Sequence, residues 1–473
     1  MSLFLLVRFA GSATDSAATL FPTQLEPDRV HTSFTNTGFV DGTATLAFST
    51  ISTASMTSPL QPQDPRAFTP RDRRVLFLTS IIGFVTGYAG SQMAHTLPFA
   101  RATFELTEGQ MSAIFATVRA VSLLGVLFAM SADRNGRRKP LLAAFALLAF
   151  GSLATAFVPS IAAYVISQSA VRVALVAIAA LSIVLIAEEL HPEVRAFGIG
   201  IYGLAGSMGV GLGLLLLPIA EANDNAWRIL FGFATLGLLA FPLLSRFLPE
   251  SRAFTPATPI PFFKALGMGL SRHFWPLAGI SFFVAAFSSP AFDFVLERLI
   301  NGLSWETGAA RFLLIVFSGL GAVGLLVGGR LADRYGRRPT SVAALAIGLV
   351  GGIGFYTLDS GWFLAASIFL ATLGATMLAP SFAAQRSELF PTRVRATATA
   401  WLTNVAIIGS ISGFATGAVL IDTVGIAVTI SALGAGLVIA IVLVLRLPET
   451  QGMDLVRKKA VHSDATRQAP PVA

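Results

Sequence analysis

Cysteine is absent from the 473 residues, which excludes thiol nucleophiles, thiolate metal sites and disulfides but locates the chain in no compartment. Charge is scarce as well. Asp, Glu, Lys and Arg make up 12% of the chain, about half the ~25% of an ordinary soluble domain. The sequence carries no phosphate loop, no nucleophile with grouped base and acid partners, and no cluster of metal-ligating residues. It therefore reads as neither an enzyme nor a cofactor protein, and no metal is expected. What is plentiful is apolar: 54% hydrophobic residues, 38 Phe and 43 Gly, with a mean hydropathy of +0.73.

The apolar residues fall into runs of about 20, the length a helix needs to cross a hydrocarbon core. Lipid forces every backbone group to pair within its own segment, so helices are expected and strands are not. The fold class is thus an all-α integral membrane protein. Twelve spans are read near 75–97, 109–130, 140–159, 161–187, 196–219, 227–247, 273–296, 308–329, 340–357, 361–384, 395–419 and 423–446.

The positive charges set the topology. Between Arg66 and Lys459, alternate connections hold 24 Lys or Arg, while the opposite set holds only Arg101, Arg228 and Arg298. Basic residues collect on the cytoplasmic side of short loops, so both termini are predicted inside, in the plasma (inner) membrane. The sequence pI of about 10.4 then reflects topology, and a nucleic-acid partner is not expected.

Residues 1–70 are rich in Ser, Thr, Ala and Pro and read as a disordered tail, or as an over-long gene start with Met56 the true one. Residues 71–247 and 273–447 each hold six spans. They are joined by a Pro-rich basic linker at 248–272 and followed by a C-terminal tail at 448–473.

An internal repeat relates the two sets. Asp133 and Asp333, and Gly136 and Gly336, lie 200 residues apart; "EELHPEVRA" at 188–196 answers "SELFPTRVRA" at 387–396, and "LPES" at 248–251 answers "LPET" at 447–450. Three markers in one order at one period imply two six-helix halves in parallel repeat.

At these residues the chain resembles the major facilitator superfamily, over roughly 75–450. The family signature after the second and eighth helices is a Gly, an Asp four residues later, then Arg-x-Gly-Arg-Arg. It is complete as Gly329, Asp333, Arg334, Gly336, Arg337 and Arg338. In the first copy Asp133, Arg134, Gly136, Arg137 and Arg138 are present, with Ala129 in place of the leading Gly. The resemblance implies two pseudo-symmetric halves rocking about a mid-membrane substrate site. It also implies a conformational gate at these loops, in which the Asp pairs with an arginine or a helix N-terminus of the opposite half. "PEVRA", "PTRVRA", "LPES" and "LPET" look most like the sugar-porter and metabolite-symporter branches, though the first-helix carboxylate usual there is missing. Topological anchoring alone would also explain the charges.

Small faces appear in span 5 (Gly206, Gly209, Gly213), span 8 (Gly321, Gly324, Gly328) and span 11 (Gly409, Gly413, Gly417). They suit either sliding interfaces between halves or ordinary close packing. "GLGAVG", residues 319–324, matches a dinucleotide fingerprint, but it lies inside an uninterrupted apolar run and not at a strand-to-helix turn, so nucleotide binding is rejected.

Ionisable residues within spans are the best site candidates, because a charge in lipid is tolerated mainly toward a cavity or partner. Arg119 and Arg172 stand near mid-depth, Asp293 deep in span 7 beyond a helix-breaking Ser-Ser-Pro, and Arg311 near the outer end of span 8. Tyr88, Gln92, His95, Gln168, Trp401 and Asn404 are candidates to line the cavity, each equally readable as packing. Arg172 matches the family's fourth-helix arginine. Two central arginines without a comparably central carboxylate favour an anionic or neutral polar solute over a cation, unless Arg119 pairs between the halves.

The expected function is secondary active transport of a small organic solute, a sugar or organic acid, by alternating access. Coupling to protons through Asp293, Glu188 or Glu189 stays open. The alternatives are a drug or metabolite efflux antiporter and a non-transporting membrane sensor. Partners are the solute, a coupling proton and the lipid bilayer, and the chain is expected to act as a monomer.

Overall fold

The computed structural model describes residues 68–190, 192–252, 273–390 and 395–451. The tail expected over residues 1–70 lies outside the described residues up to residue 67. So do residues 253–272 of the expected linker and the C-terminal tail beyond residue 451. Among the described residues, twelve helices long and apolar enough to cross a bilayer follow one another. They are α1 (Pro70–His95), α2 (Glu108–Ala132), α3 (Arg138–Ala156), α4 (Ile161–Glu189), α5 (Gly198–Glu221) and α6 (Trp227–Phe247), then α7 (Phe274–Asp293), α8 (Thr307–Tyr335), α9 (Arg337–Thr357), α10 (Gly361–Arg386), α11 (Trp401–Val424) and α12 (Ile426–Arg446). No strand occurs among the described residues. All twelve match the sequence-expected spans within several residues.

Local chemistry sets the ends. The first helix starts at a capping box in which the Thr69 hydroxyl accepts from the Asp72 amide at 3.2 Å and the Asp72 carboxylate accepts from the Thr69 amide at 3.0 Å, with Pro70 behind the cap. Thr107 and Gln110 repeat the device at the start of α2. Gly136 and Gly336 have φ of 87° and 110°, a region that side-chain-bearing residues avoid. They let α8 turn into α9 within one residue and the helix ending at Asn135 turn into α3 within two. Pro290 lies inside α7, and that helix stops at Asp293; the chain then continues through a short turn at Val295–Glu297 and a π-turn at Arg298–Gly302.

Alternation of twelve spans puts the first, third and later odd connections on the face opposite the start of α1 and the end of α12. The face holding the start of α1, the end of α12 and the 131–139 and 330–338 loops carries most of the arginines and is called the basic side here; the other is the far side.

Glycines set the close packing. A Cβ on Gly209 would collide with the Phe84 carbonyl of α1, and Gly206 and Gly213 face α1 likewise; Gly321, Gly324 and Gly328 abut α10; Gly409 and Gly413 abut α7. Most of these faces thus hold helices together inside one half instead of forming sliding surfaces between halves. The exception is Gly417 on α11, which sits against Ser112 of α2. Lipid offers no hydrophobic drive between helices, so bare backbone approach supplies the dispersion contacts.

The N-terminal half has its own buried cluster, including Leu78, Phe145, Leu181 and Leu244. A larger cluster crosses from that half to the other through Phe115, Phe294 and Phe414. Its bridging part lies on the far side, where α2 packs on α11.

Candidate functional site

The basic side is organised within each half. In the first, Arg137 binds Glu188 at 3.2 Å and the Ala132 carbonyl at 2.7 Å, while Glu250 accepts from the Arg137 and Arg138 amides at 2.6 and 3.2 Å. The second half repeats this. Arg337 binds Glu388 at 3.3 Å and the Ala332 carbonyl at 2.7 Å, and Glu449 accepts from the Arg337 and Arg338 amides at 2.8 and 3.0 Å. Partial burial pushes the Glu449 carboxyl up, but these two amides with those of Gln451 and Thr450 favour the anion more, and it lies below its ordinary range. In each half a carboxylate therefore caps the free N–H groups of the next helix beside the turning glycine.

These contacts explain why three separated motifs repeat together: in both halves the signature arginine touches the "EEL" or "SEL" acid and the "LPE" acid. The sequence used the last two only as markers; their shared period was the available sign of contact.

The expected pairing of the signature aspartates across the halves is not what the described contacts contain. Asp333 pairs with Arg337 of its own loop at 2.8 Å, and Arg334 stacks on Tyr335 at 5.3 Å. Arg138 reaches the Ser245 carbonyl, and Arg134 is exposed. The Asp133 side chain lies outside the described residues, as do those of "PEVRA" and of Arg395 and Ala396. Gly329, the expected leading glycine, has open space about it, whereas its neighbour Gly328 is pressed on the Met377 backbone. The physical reason is separation: the described hydrogen bonds and ion pairs that join the halves lie on the far side and at mid-depth.

From the far surface inward, Arg101 pairs with the buried Glu297 at 2.7 Å. Asp422 of α11 accepts from the Gly109 amide at 2.8 Å and from the Thr107 hydroxyl at 2.5 Å, so one half caps a helix of the other. A Cβ on Gly109 would meet that carboxylate at 2.6 Å. Arg311 reaches the Leu215 carbonyl at 3.4 Å. The Ser112 hydroxyl donates to the Phe414 carbonyl at 2.7 Å, and Phe115 stacks on Phe414 at 4.9 Å with Phe294 alongside.

Beneath this aromatic plug lies a layer of charge. Arg119 pairs with Asp293 across the halves and rests over the Phe414 ring at 4.7 Å. Their side chains are 16% and 19% exposed, which shields the pair from full solvent screening. Arg172 lies within electrostatic reach of both and of Tyr164. It is half-buried, and no hydrogen bond or ion pair is described for it. Arg119 and Arg172 each lie eleven residues inside the far end of their helices, roughly 16 Å at a helical rise and so near mid-membrane. Asp293 supplies the central carboxylate that the sequence did not place at this depth.

The remaining candidates divide. The Tyr88 hydroxyl donates to the Leu230 carbonyl at 2.8 Å, the Gln168 amide donates to Thr155 at 2.8 Å, and Gln92 is fully buried beside Gly213. His95 is buried next to it. All four are buried within the N-terminal half. Trp401 packs against the core, and Asn404 is half-exposed.

The model of the "Sugar (and other) transporter" family matches residues 75–258, and that of the "Major Facilitator Superfamily" matches residues 275–469. The gallate transporter of Pseudomonas putida is 28% identical over 405 residues, covering 76% of this chain and 88% of that one. The probable 4-methylmuconolactone transporter of Cupriavidus pinatubonensis is 24% identical over 393 residues, covering 80% and 91%. The inward open conformation of the xylose transporter XylE from Escherichia coli superposes with a TM-score of 0.66 at 16% identity, covering 82% of this chain and 99% of that one. Twelve spans in two repeated halves, the doubled signature loops and family matches on both halves lead to one assignment: the chain belongs to the major facilitator superfamily and is an integral membrane transporter of small organic solutes.

Proposed function

We propose that the protein carries small organic carboxylates by alternating access, its bundles at 71–247 and 273–447 rocking about the Arg119–Arg172–Asp293 layer. The observation that carries this reading is Arg172, a half-buried cation at mid-depth with no described hydrogen bond or ion pair. Two arginines and one aspartate leave the layer with one net positive charge, which a monocarboxylate neutralises. A guanidinium offers such a group two parallel N–H donors. The far side is held shut while the described basic-side contacts stay within each half, as suits a carrier open toward the basic side. That side is the cytoplasm by its excess of arginine, in the plasma membrane, and the carrier works as a monomer.

The names of two relatives, carriers of gallate and of a methylmuconolactone, fit an acid solute, whereas the arabinose and xylose carriers among the similar proteins favour a neutral sugar. Uptake into proteoliposomes separates them. Arg172→Gln is expected to lower kcat/KM for benzoate-type acids by about 10- to 100-fold, the scale of one charge-assisted hydrogen bond, with partial recovery in Arg172→Lys. Uptake of a pentose with no response to acids would replace this reading by the sugar one, and movement of neither would favour a sensor.

A further inference from the structure

We infer that the C-terminal half carries a hydrocarbon side pocket between α7, α9 and α10, beside the charge layer, that seats a short apolar chain end or branch of the carried acid. The inference rests on the carboxylate reading above and narrows it to acids with such a tail. It starts from a void of about 50 Å³ bordered by Phe287 and Ala291 of α7, Gly348 and Phe355 of α9, Ala371 of α10 and Leu437 of α12.

The glycine at 348 makes the room. A Cβ on Gly352 would strike the Phe287 ring at 2.5 Å, and one on Gly374 would strike the Gly348 amide nitrogen at 2.4 Å, so close packing keeps those two bare. A Cβ on Gly348 would meet nothing nearer than 3.8 Å. The internal repeat sharpens the contrast. Gly348 follows the turning Gly336 at the same interval as Leu148 follows Gly136, and Leu148 is fully buried in the core of the N-terminal half. One half fills this position with a leucine and the other leaves it open.

Water does not suit the space. The polar side chains on its border are Ser288 and Tyr356, and the Tyr356 hydroxyl is committed to the Ala291 carbonyl at 2.7 Å. A buried water needs roughly two to four polar partners, whereas apolar cavities stay dry and take apolar guests. At about 50 Å³ the void is well below the ~150 Å³ in which benzene binds. It therefore excludes a whole ring and admits a chain end or branch of about one to three carbons.

The opening lies beside the charge layer. α9 packs on α8, α10 and α12 of its own half, which makes it the back wall. On the flanking helices Ser288 is half-buried, while Phe292 and Ala375 are exposed, so the void opens between α7 and α10. Phe292 directly precedes Asp293, the partner of Arg119 across the halves, and Arg172 lies within electrostatic reach of that pair. A carboxylate held by Arg172 thus has apolar space for its tail in the facing half. Each methylene moved from water into that space should tighten binding about fourfold until it is full.

Two matched series separate the pocket from the carboxylate. Straight-chain acids from acetate to octanoate, and the primary alcohols of the same lengths, are titrated calorimetrically into the purified protein in lipid nanodiscs, with empty nanodiscs as the blank. In the parent, Kd for the acids should tighten about fourfold per methylene over two or three successive members and then level. Gly348→Ala should end that rise about one member earlier, with the preference for acid over matching alcohol unchanged. Its methyl enters open space, so its unfolding midpoint should not fall below the parent's. Leu437→Ala, which enlarges the void, should extend the rise instead. Arg172→Gln should abolish the acid preference and keep the chain-length profile. A profile identical in the parent, Gly348→Ala and Leu437→Ala overturns the pocket, whether or not acids are preferred. Equal binding of acids and alcohols with a profile that still responds to Gly348→Ala overturns the carboxylate reading and keeps the pocket. Binding of neither series overturns both.

Discussion

Glu449 shows what one residue contributes at a helix start. Its carboxylate takes the Arg337 and Arg338 amides at the opening of α9, beside a glycine with φ of 110°. Its proton affinity in the folded state is below the ordinary value of 4.5. The anion therefore stabilises the fold wherever the unfolded chain is also ionised, above about pH 4.5, and the benefit fades as pH falls through the lower folded value. Glu449→Gln is expected to lower the unfolding midpoint of the purified protein by about 1–3 °C at neutral pH, the scale of a lost cap. A melting series taken down to about pH 3 should show the two proteins converging. A difference that does not change with pH would deny the ionised cap. At the same scale, the arginine and glycine of each signature loop are legible in sequence, but the carboxylates that hold them are not. Glu250 reaches Arg137 over 113 residues, and only the common period of the motifs hints at it.

Helix pairs are set by where backbone meets backbone. The Gly209 site on α5 has no room for a Cβ against Phe84, whereas Gly211, two residues on, has nothing within 4 Å. Gly209→Leu should destabilise the protein by about 1–3 kcal/mol through overpacking, read as a lower unfolding midpoint in detergent, while Gly211→Leu should leave it nearly unchanged. Equal effects at both positions would contradict the α1–α5 contact. Both glycines look alike in sequence, because the face a glycine presents depends on its neighbour helix as well as on its own periodicity. That is also why the glycine rows of α5 and α8, which in sequence suit either sliding surfaces or close packing, prove to be seams within the halves. The break of α7 is the contrary case: Ser-Ser-Pro at 288–290 announced a discontinuity, and it lies directly before Asp293.

For the whole molecule, sidedness is the broadest expectation. Single cysteines at Ala222 and Ala309 should react with a membrane-impermeant maleimide on intact cells, and those at Asn135 and Tyr335 only after permeabilisation. Labelling of Asn135→Cys and Tyr335→Cys from opposite faces would end the two-half arrangement. Twelve spans and their repeat were determined by the sequence itself, because lipid acts on each segment in turn: an apolar run of sufficient length becomes a helix. Which half touches which, and where, was decided only by tertiary structure. Sequence placed Arg119, Arg172 and Asp293 on separate helices, and the signature aspartates were its strongest reason to expect a clasp between halves. In the folded chain the clasp is Arg119 with Asp293 and Asp422 with the start of α2, on the other side of the layer. A pairing between residues 174 apart follows from how two bundles lean on each other. The contact belongs to the packing of the two bundles and not to any local stretch of chain.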